Sequence, residues 1–434
     1  MVEEVVTVFV DADVDVFEVE QDAKDFFSSL EKDGFIVSGE TPEELDSKDV
    51  RFSYAELVPK TIREDFTPDT FRTDANTQEY LEKHFKDNPQ LMSLQIELTS
   101  RCNERCVHCY IPHANKNSAI MSELFYSILE QCHDMGVLDL TFSGGEPMLH
   151  PDFIDFLRKS KEYDFSISIL SNLTLLNDEI VTAMKESRLS GVQVSLYSMD
   201  AAIHDAITQM PGSFVKTRDA ILRLIENDIP LQISCPAMKQ NHDSYANVAK
   251  WAAEHKVRAF TDFIMMARYD HTTDNLDNRL SLDEMGKVIN DIIDNDFVYQ
   301  ERLKEANFDE IEKIDISENI LCGVCILSCC MVANGDIYPC AGWQGYVCGN
   351  VAQQPLREIW NSSPKVQYLR SLRKKDMAEC ADCADRQFCA VCMVRNANEN
   401  PDGDPLKINQ HFCRVAALNR KIVLDWQATL RVKR

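Results

Sequence analysis

The chain has 434 residues, 44% of them apolar, and a formal charge of −26. That length suits two or three domains, and the charge argues against nucleic acid as a partner, because phosphate binding needs clustered Lys and Arg. Sixteen cysteines in a chain this long, opening with Met1-Val-Glu-Glu rather than a positive signal region, read as metal or catalytic groups in a reducing cytosol. No apolar stretch is long enough to span a bilayer, so the expectation is a cytosolic metalloprotein without a membrane partner.

In chain order, residues 5–10 and 14–19 read as β-strands, the second by its alternation. Residues 23–32 read as a helix, with Phe26, Phe27 and Leu30 at helical spacing and Gly34 as its stop. Residues 41–75 are polar and weakly periodic, a mixture of helix and linker. Six strand candidates follow at 93–99, 138–142, 166–172, 191–198, 231–236 and 259–266. Amphipathic helices separate them. One spans 122–135 with Leu124, Ile128 and Leu129 on one face, and another is opened by Pro151 at its first position and runs towards Tyr163. Strands alternating with helices give an α/β fold, a parallel sheet covered by helices, and six such units make a partial (β/α)6 barrel. After residue 305 the alternation ends, cysteines concentrate, and Val415, Leu418, Ile422 and Leu424 mark a terminal helix. The expected division is 1–85, 86–305 and 306–434.

The chemistry is concentrated in two groups of cysteines. Cys102, Cys106 and Cys109 stand at C-x3-C-x2-C spacing directly after the first strand of the alternating segment. Three such thiolates can hold three irons of a 4Fe–4S cluster and leave the fourth open to a small molecule. The alternative, a structural zinc knuckle, is usually built from paired C-x2-C units. Gly144-Gly145-Glu146 follows the second strand; glycines let backbone approach a ligand closely, and the carboxylate can pair with a cationic group. In the tail, Cys322-x12-Gly335-x4-Cys340 is followed by Cys380-x2-Cys383-x5-Cys389-x2-Cys392 and then Cys413.

The cysteine loop, its following Tyr110 and the Gly-Gly-Glu turn resemble the radical SAM superfamily. The resemblance implies S-adenosylmethionine bound at the open iron and cleaved to a 5′-deoxyadenosyl radical. It makes Cys102, Cys106 and Cys109 the cluster ligands and places Tyr110 beside the adenine. It also makes Gly144, Gly145, Glu146, Ser171, Asn172, Ser195 and Met265 candidates for cofactor contacts. The tail resembles the SPASM extension of that superfamily, which holds two auxiliary 4Fe–4S clusters and so brings the expected total to three. It departs in having two residues, not three, between Cys389 and Cys392. By order, Cys380, Cys383, Cys389 and Cys413 would hold the outer cluster, and Cys322, Cys340 and Cys392 the inner one. The inner fourth ligand is Cys325, Cys329, Cys330, Cys348 or none. Cys132 reads as a buried apolar residue, whereas Cys235, ending the fifth strand, is a candidate hydrogen-atom donor or electron relay.

The N-terminal segment resembles the small α+β, winged-helix-like (PqqD-like) element that binds leader peptides on enzymes modifying ribosomally made peptides, by strand addition at a sheet edge. The combined resemblance implies a maturase that crosslinks a precursor peptide through a carbon–carbon, carbon–oxygen or thioether bond. A donor such as flavodoxin or ferredoxin would supply its electrons. Peptide epimerisation and anaerobic sulfatase maturation are the enzymatic alternatives. A non-catalytic iron–sulfur electron carrier is the alternative from another class, and Gly144-Gly145-Glu146 speaks against it.

Overall fold

The computed structural model describes residues 16–32, 36, 38, 39, 41, 44, 84–308, 314–389 and 391–432. The strand expected at 5–10, Gly34 and nearly all of 41–75 lie outside the described residues. The chain divides into two compact units, residues 1–67 and 68–434.

In the first unit the described element is a helix, Val16–Lys32. The strand expected at 14–19 is thereby corrected from Val16 onward. Its short alternation is outweighed by a longer helical spacing, in which Val16, Val19, Ala23, Phe27 and Leu30 recur at three- and four-residue steps over seventeen residues. Ala23 is buried, whereas Phe17 and Phe26 are 74% and 60% exposed.

The second unit is built on one sheet of nine strands. All six expected strands are present, the sixth reduced from 259–266 to three residues so that Met265 lies in the irregular segment after it: β1 (Ser93–Thr99), β2 (Asp139–Gly144), β3 (Ser166–Ser171), β4 (Gly191–Ser195), β5 (Leu231–Ser234) and β6 (Arg258–Phe260). Each pairs in parallel with the next in sequence order, as strand–helix repeats require. Helices such as Ser122–Asp134, Phe153–Glu162, Asp178–Glu186 and Ser213–Glu226 connect them. The second of these begins at Phe153, after Asp152, so Pro151 lies in the preceding turn and not at the first helical position expected for it.

Alternation along the strands separates two faces. Leu94, Ile96 and Leu98 of β1, Leu140 and Phe142 of β2, Ile167 and Ile169 of β3, and Val192 and Val194 of β4 are almost completely buried. They pack against the helices, each aliphatic side chain contributing about 1.5–3 kcal/mol of burial. The opposite face is polar and carries Gln95, Glu97, Thr141, Ser143, Ser168, Gln193, Ser195 and Gln232 in register across the strands. Gln95 donates to the Ser143 hydroxyl at 2.7 Å and Gln232 to Gln193 at 3.2 Å. A polar interior opposite an apolar exterior is the arrangement of a barrel whose lumen receives ligands.

The cysteine-rich tail extends this sheet. β7 (Ser328–Met331) lies parallel to β1 on its free edge, and β8 (Asp336–Tyr338) and β9 (Gly349–Asn350) add antiparallel strands beyond it. Tail residues Met331, Ile337, Trp343, Trp360 and Leu369 belong to the same buried core as the strands. The boundary expected at 305/306 therefore falls inside one compact unit. The terminal helix, Gln410–Val432, packs on the helix Leu282–Asn295.

Candidate functional site

Residues 100–112 form an irregular loop after β1. Its entry is fixed by Ser100, whose hydroxyl accepts the backbone N–H groups of Asn117 and Ser118 at 3.0 and 2.9 Å and donates to the Asn115 carbonyl at 2.9 Å. Its middle is strapped to the helix Ala201–Thr208, with the N–H groups of Arg105 and Val107 donating to the carbonyls of Thr208 and Ile207 at 3.0 Å. Its exit is held from the segment after β6. Asn278, Asn275 and Arg268 donate to the carbonyls of Val107, His108 and Cys109, and the Tyr269 N–H donates to that of Tyr110. Asn275, Asn278 and Tyr269 were not identifiable by sequence reasoning. They lie more than 150 residues from the loop, in a segment without a motif.

The loop brings three thiols together. Burial pushes the Cys102 thiol up to about 12 and that of Cys106 well above its ordinary value, with the charges of Cys102 and Cys109 adding to the effect on Cys106. Cys106 Sγ donates to Glu104 Oε2 at 3.3 Å, while the buried Glu104 Oε1 and His108 Nδ1 have no hydrogen-bond partner among the described residues. Tyr110 is turned towards the polar face of β1, its hydroxyl donating to Glu97 at 3.3 Å.

Gly144 and Gly145 serve the loop in a specific way. A Cβ on Gly144, whose φ is +131°, would lie 2.1 Å from the Thr99 carbonyl oxygen, and one on Gly145 would lie 2.2 Å from that of Arg101. The backbone they approach is therefore the lead-in to the cysteine loop, and the Gly145 and Glu146 N–H groups donate to those two carbonyls at 2.8 Å. The Glu146 carboxylate is fully buried. It accepts from the Ser171 hydroxyl at 2.9 Å, the Asn172 N–H at 2.9 Å and the Met148 N–H at 3.1 Å. Asn172 in turn donates from its side chain to Asn103 of the cysteine loop at 3.0 Å. Burial raises the Glu146 carboxyl to about 7, although these hydrogen bonds lower it. Among the described residues it has no ion-pair partner, so a bound cation would offset the cost of burying its charge.

The remaining candidates are more dispersed. Ser195 lies on the polar face and hydrogen-bonds Tyr197, whose hydroxyl reaches His108 Nε2 at 3.4 Å. Met265 packs with Tyr197, Ile207, Met238 and Val107. Cys235 is part of the main apolar core, its Sγ 3.6 Å from the Tyr197 carbonyl and its thiol pushed up to about 12 by burial.

The tail cysteines separate into groups. Burial, and then the charges of neighbouring cysteines including Cys383, raise the thiols of Cys380, Cys389 and Cys413, and burial with the nearby Cys392 raises those of Cys322 and Cys340. Cys325 and Cys348 form a hydrogen-bonded pair, and Cys329 and Cys330 are completely buried in β7. These thiols are neighbours and not a finished cage. Among the described residues, no three His, Cys, Asp or Glu side chains already converge on one ion. The second group is tied to the mouth of the barrel. Arg395 pairs with Asp262 at 2.8 Å, Arg279 with Glu399, and the Asn398 amide donates to the carbonyls of Gly342 and Ala267 at 2.9 and 3.3 Å.

The radical SAM superfamily model matches residues 96–252, and the SPASM iron–sulfur cluster-binding model matches residues 322–384. The chain is a radical SAM protein with a SPASM extension. This radical SAM protein is 27% identical over 324 residues to the AdoMet-dependent heme synthase of Methanosarcina barkeri, covering 69% of this chain and 90% of that one. It is 25% identical over 328 residues to AlbA of Bacillus subtilis, an antilisterial bacteriocin subtilosin biosynthesis protein, covering 72% of this chain and 69% of that one. Its fold resembles that of Streptococcus suis SuiB bound to the precursor peptide SuiA, with a TM-score of 0.58 and 20% identity, over 76% of this chain and 78% of that one.

Its cofactors are S-adenosylmethionine and 4Fe–4S clusters. The residues fit such groups. Grouped thiols become metal ligands on deprotonation. The orphaned Glu104 oxygen and the unpaired Glu146 charge stand on either side of the Asn103–Asn172 link. Among the described residues, no helix is long and apolar enough to cross a membrane.

Proposed function

We propose that the chain is a peptide maturase that removes a hydrogen atom from a ribosomally made precursor peptide and installs a carbon–carbon, carbon–oxygen or thioether crosslink. The observation that carries the radical part is the joining of the cysteine loop, Glu146, Ser171 and Asn172 into one hydrogen-bonded unit. Its peptide part is supported by the likeness to AlbA and by the fold shared with peptide-bound SuiB.

In this reading Cys102, Cys106 and Cys109 hold the first cluster. Glu146, oriented by Ser171 and the Asn172 backbone, takes the ammonium group of S-adenosylmethionine. When bound, these cofactors supply the carbon-centred radical that takes hydrogen from the substrate. Cys380, Cys383, Cys389 and Cys413 hold one auxiliary cluster, and Cys322, Cys340 and Cys392 another. The polar face of β1–β5 receives the substrate, the N-terminal unit binds its leader, and a carrier such as flavodoxin or ferredoxin delivers electrons in the cytosol. Cys235, at the end of β5 and 3.6 Å from the Tyr197 carbonyl, would serve as a hydrogen-atom donor or electron relay.

The likeness to the heme synthase favours a second reading, in which the substrate is a tetrapyrrole. The test is anaerobic turnover with the peptide encoded beside the gene, by the whole chain and by a chain lacking residues 1–67. The expected result is modified peptide from the whole chain and at least about tenfold less from the shortened one, with 5′-deoxyadenosine still released by both. Equal turnover by both would favour the sulfatase-maturing type. Release of 5′-deoxyadenosine stimulated by a tetrapyrrole and not by peptide would favour the second reading.

A further inference from the structure

Glu97 is a buried acid for which the proposed function has no use. It stands towards the C-terminal end of β1 on the polar face, only 2% exposed. Two segments close over it. Tyr110, next to Cys109, donates its hydroxyl to Oε1 at 3.3 Å. Gln344, just after the turn that Trp343 closes on the Cys340 carbonyl, donates Nε2 to both oxygens at 3.0 Å. The same carboxylate acts electrostatically on Tyr110, on Tyr269 after β6, on Cys330 of β7 and on Tyr338 of β8. Cys330 and Tyr110 in turn feel Cys340. Among the described residues Glu97 has no ion-pair partner. This carboxylate is joined by hydrogen bonds both to Tyr110 of the cysteine loop and to Gln344 beside the Cys340 turn.

We infer that Glu97 is the proton site linked to the electron that the tail accepts. When an iron–sulfur cluster held by Cys322, Cys340 and Cys392 takes up one electron, the Glu97 carboxylate takes up one proton. This rests on the reading of those cysteines as cluster ligands. The electron comes from the substrate radical as its new bond closes and the proton from water, so each is added once and nothing else is consumed. An electron added close to a buried carboxylate raises its affinity for a proton, because charges interact strongly where water is excluded. By linkage, protonation then raises the affinity of the cluster for the electron by the same factor. The group is poised for this, since burial raises the Glu97 carboxyl to about 7 against the lowering effect of Gln344 and Tyr110.

The test is an anaerobic redox titration of the reconstituted full-length protein, reduced with dithionite and followed by electron paramagnetic resonance at several pH values. Below pH about 7, Glu97 is protonated in both redox states and the potential of the inner cluster is flat. Above it, the potential falls by about 59 mV per pH unit, the equivalent of a tenfold change per unit for one electron. Glu97→Gln removes the slope. Gln344→Leu, which deletes hydrogen bonds that lower the carboxyl, moves the onset of the slope to higher pH. A flat wild-type line, or the same slope in Glu97→Gln, overturns the inference. Should Glu97→Gln fail to take up iron, the Gln344→Leu onset decides: a shift upward supports the linkage and an unmoved onset overturns it. Iron close to four atoms per chain in the wild type would instead defeat the reading of the tail cysteines, and is seen before any potential is measured.

Discussion

Gly145 shows how one residue controls the cysteine loop. Its Cα lies so close to the 100–101 backbone that a methyl group would overlap the carbonyl oxygens of Arg101 and Ser100, at 2.2 and 2.6 Å. Gly145→Ala must displace the lead-in to Cys102, at a cost of about 1–3 kcal/mol. The expected outcome is loss of the first cluster alone, about four iron atoms per chain, with the tail clusters retained; iron analysis and absorbance after anaerobic reconstitution check it. Unchanged iron with full cofactor cleavage would contradict this account of the glycine. At this scale Cys102, Cys106, Cys109 and Glu146 were legible in the sequence as candidates, because fixed residue types at short spacing mark them, and the structure joins the loop to Glu146 through Asn103 and Asn172. Glu97 was not. Its importance comes from Gln344, 247 residues away, and neither residue carries a motif by itself.

Among the elements, the most consequential is the short strand β7. By pairing with β1 it covers the edge that a six-stranded barrel would leave open, and the N–H groups of Met92 and Ser93 donate to the Leu327 carbonyl just before it. Exposed parallel edges invite aggregation. Residues 84–305 expressed without the tail are therefore expected to be insoluble or to melt far below the whole chain; size-exclusion chromatography and circular dichroism would show it. A soluble, cooperatively folding fragment would contradict the single-unit architecture. Strands β1–β5 were legible because apolar residues alternate along them between amphipathic helices, and the three-residue β6 because it continues the same strand–helix repeat. β7–β9 were not, because Ser328–Met331 reads as part of a cysteine cluster and the other two strands are only three and two residues long. At the N-terminus a six-residue alternation suggested a strand, while the apolar spacing over seventeen residues makes a helix.

At the scale of the whole molecule, the continuous sheet joins what the sequence presents as separate segments. The cysteine loop follows β1, the Gly-Gly-Glu turn follows β2, and the thiol groups of the tail are carried by segments that β7 anchors beside β1. In the proposed reading, a chain that starts a radical beside β1 and accepts an electron in the adjoining tail can complete a two-electron oxidation without releasing the substrate. The most direct test of that claim is mass spectrometry of the precursor peptide and 5′-deoxyadenosine in a single anaerobic reaction, with a Cys102→Ala/Cys106→Ala/Cys109→Ala variant alongside. The account predicts that peptide lacking two hydrogens accumulates in proportion to 5′-deoxyadenosine, and that the variant forms neither while keeping its tail clusters. Release of 5′-deoxyadenosine without any change in the mass of the peptide would contradict it.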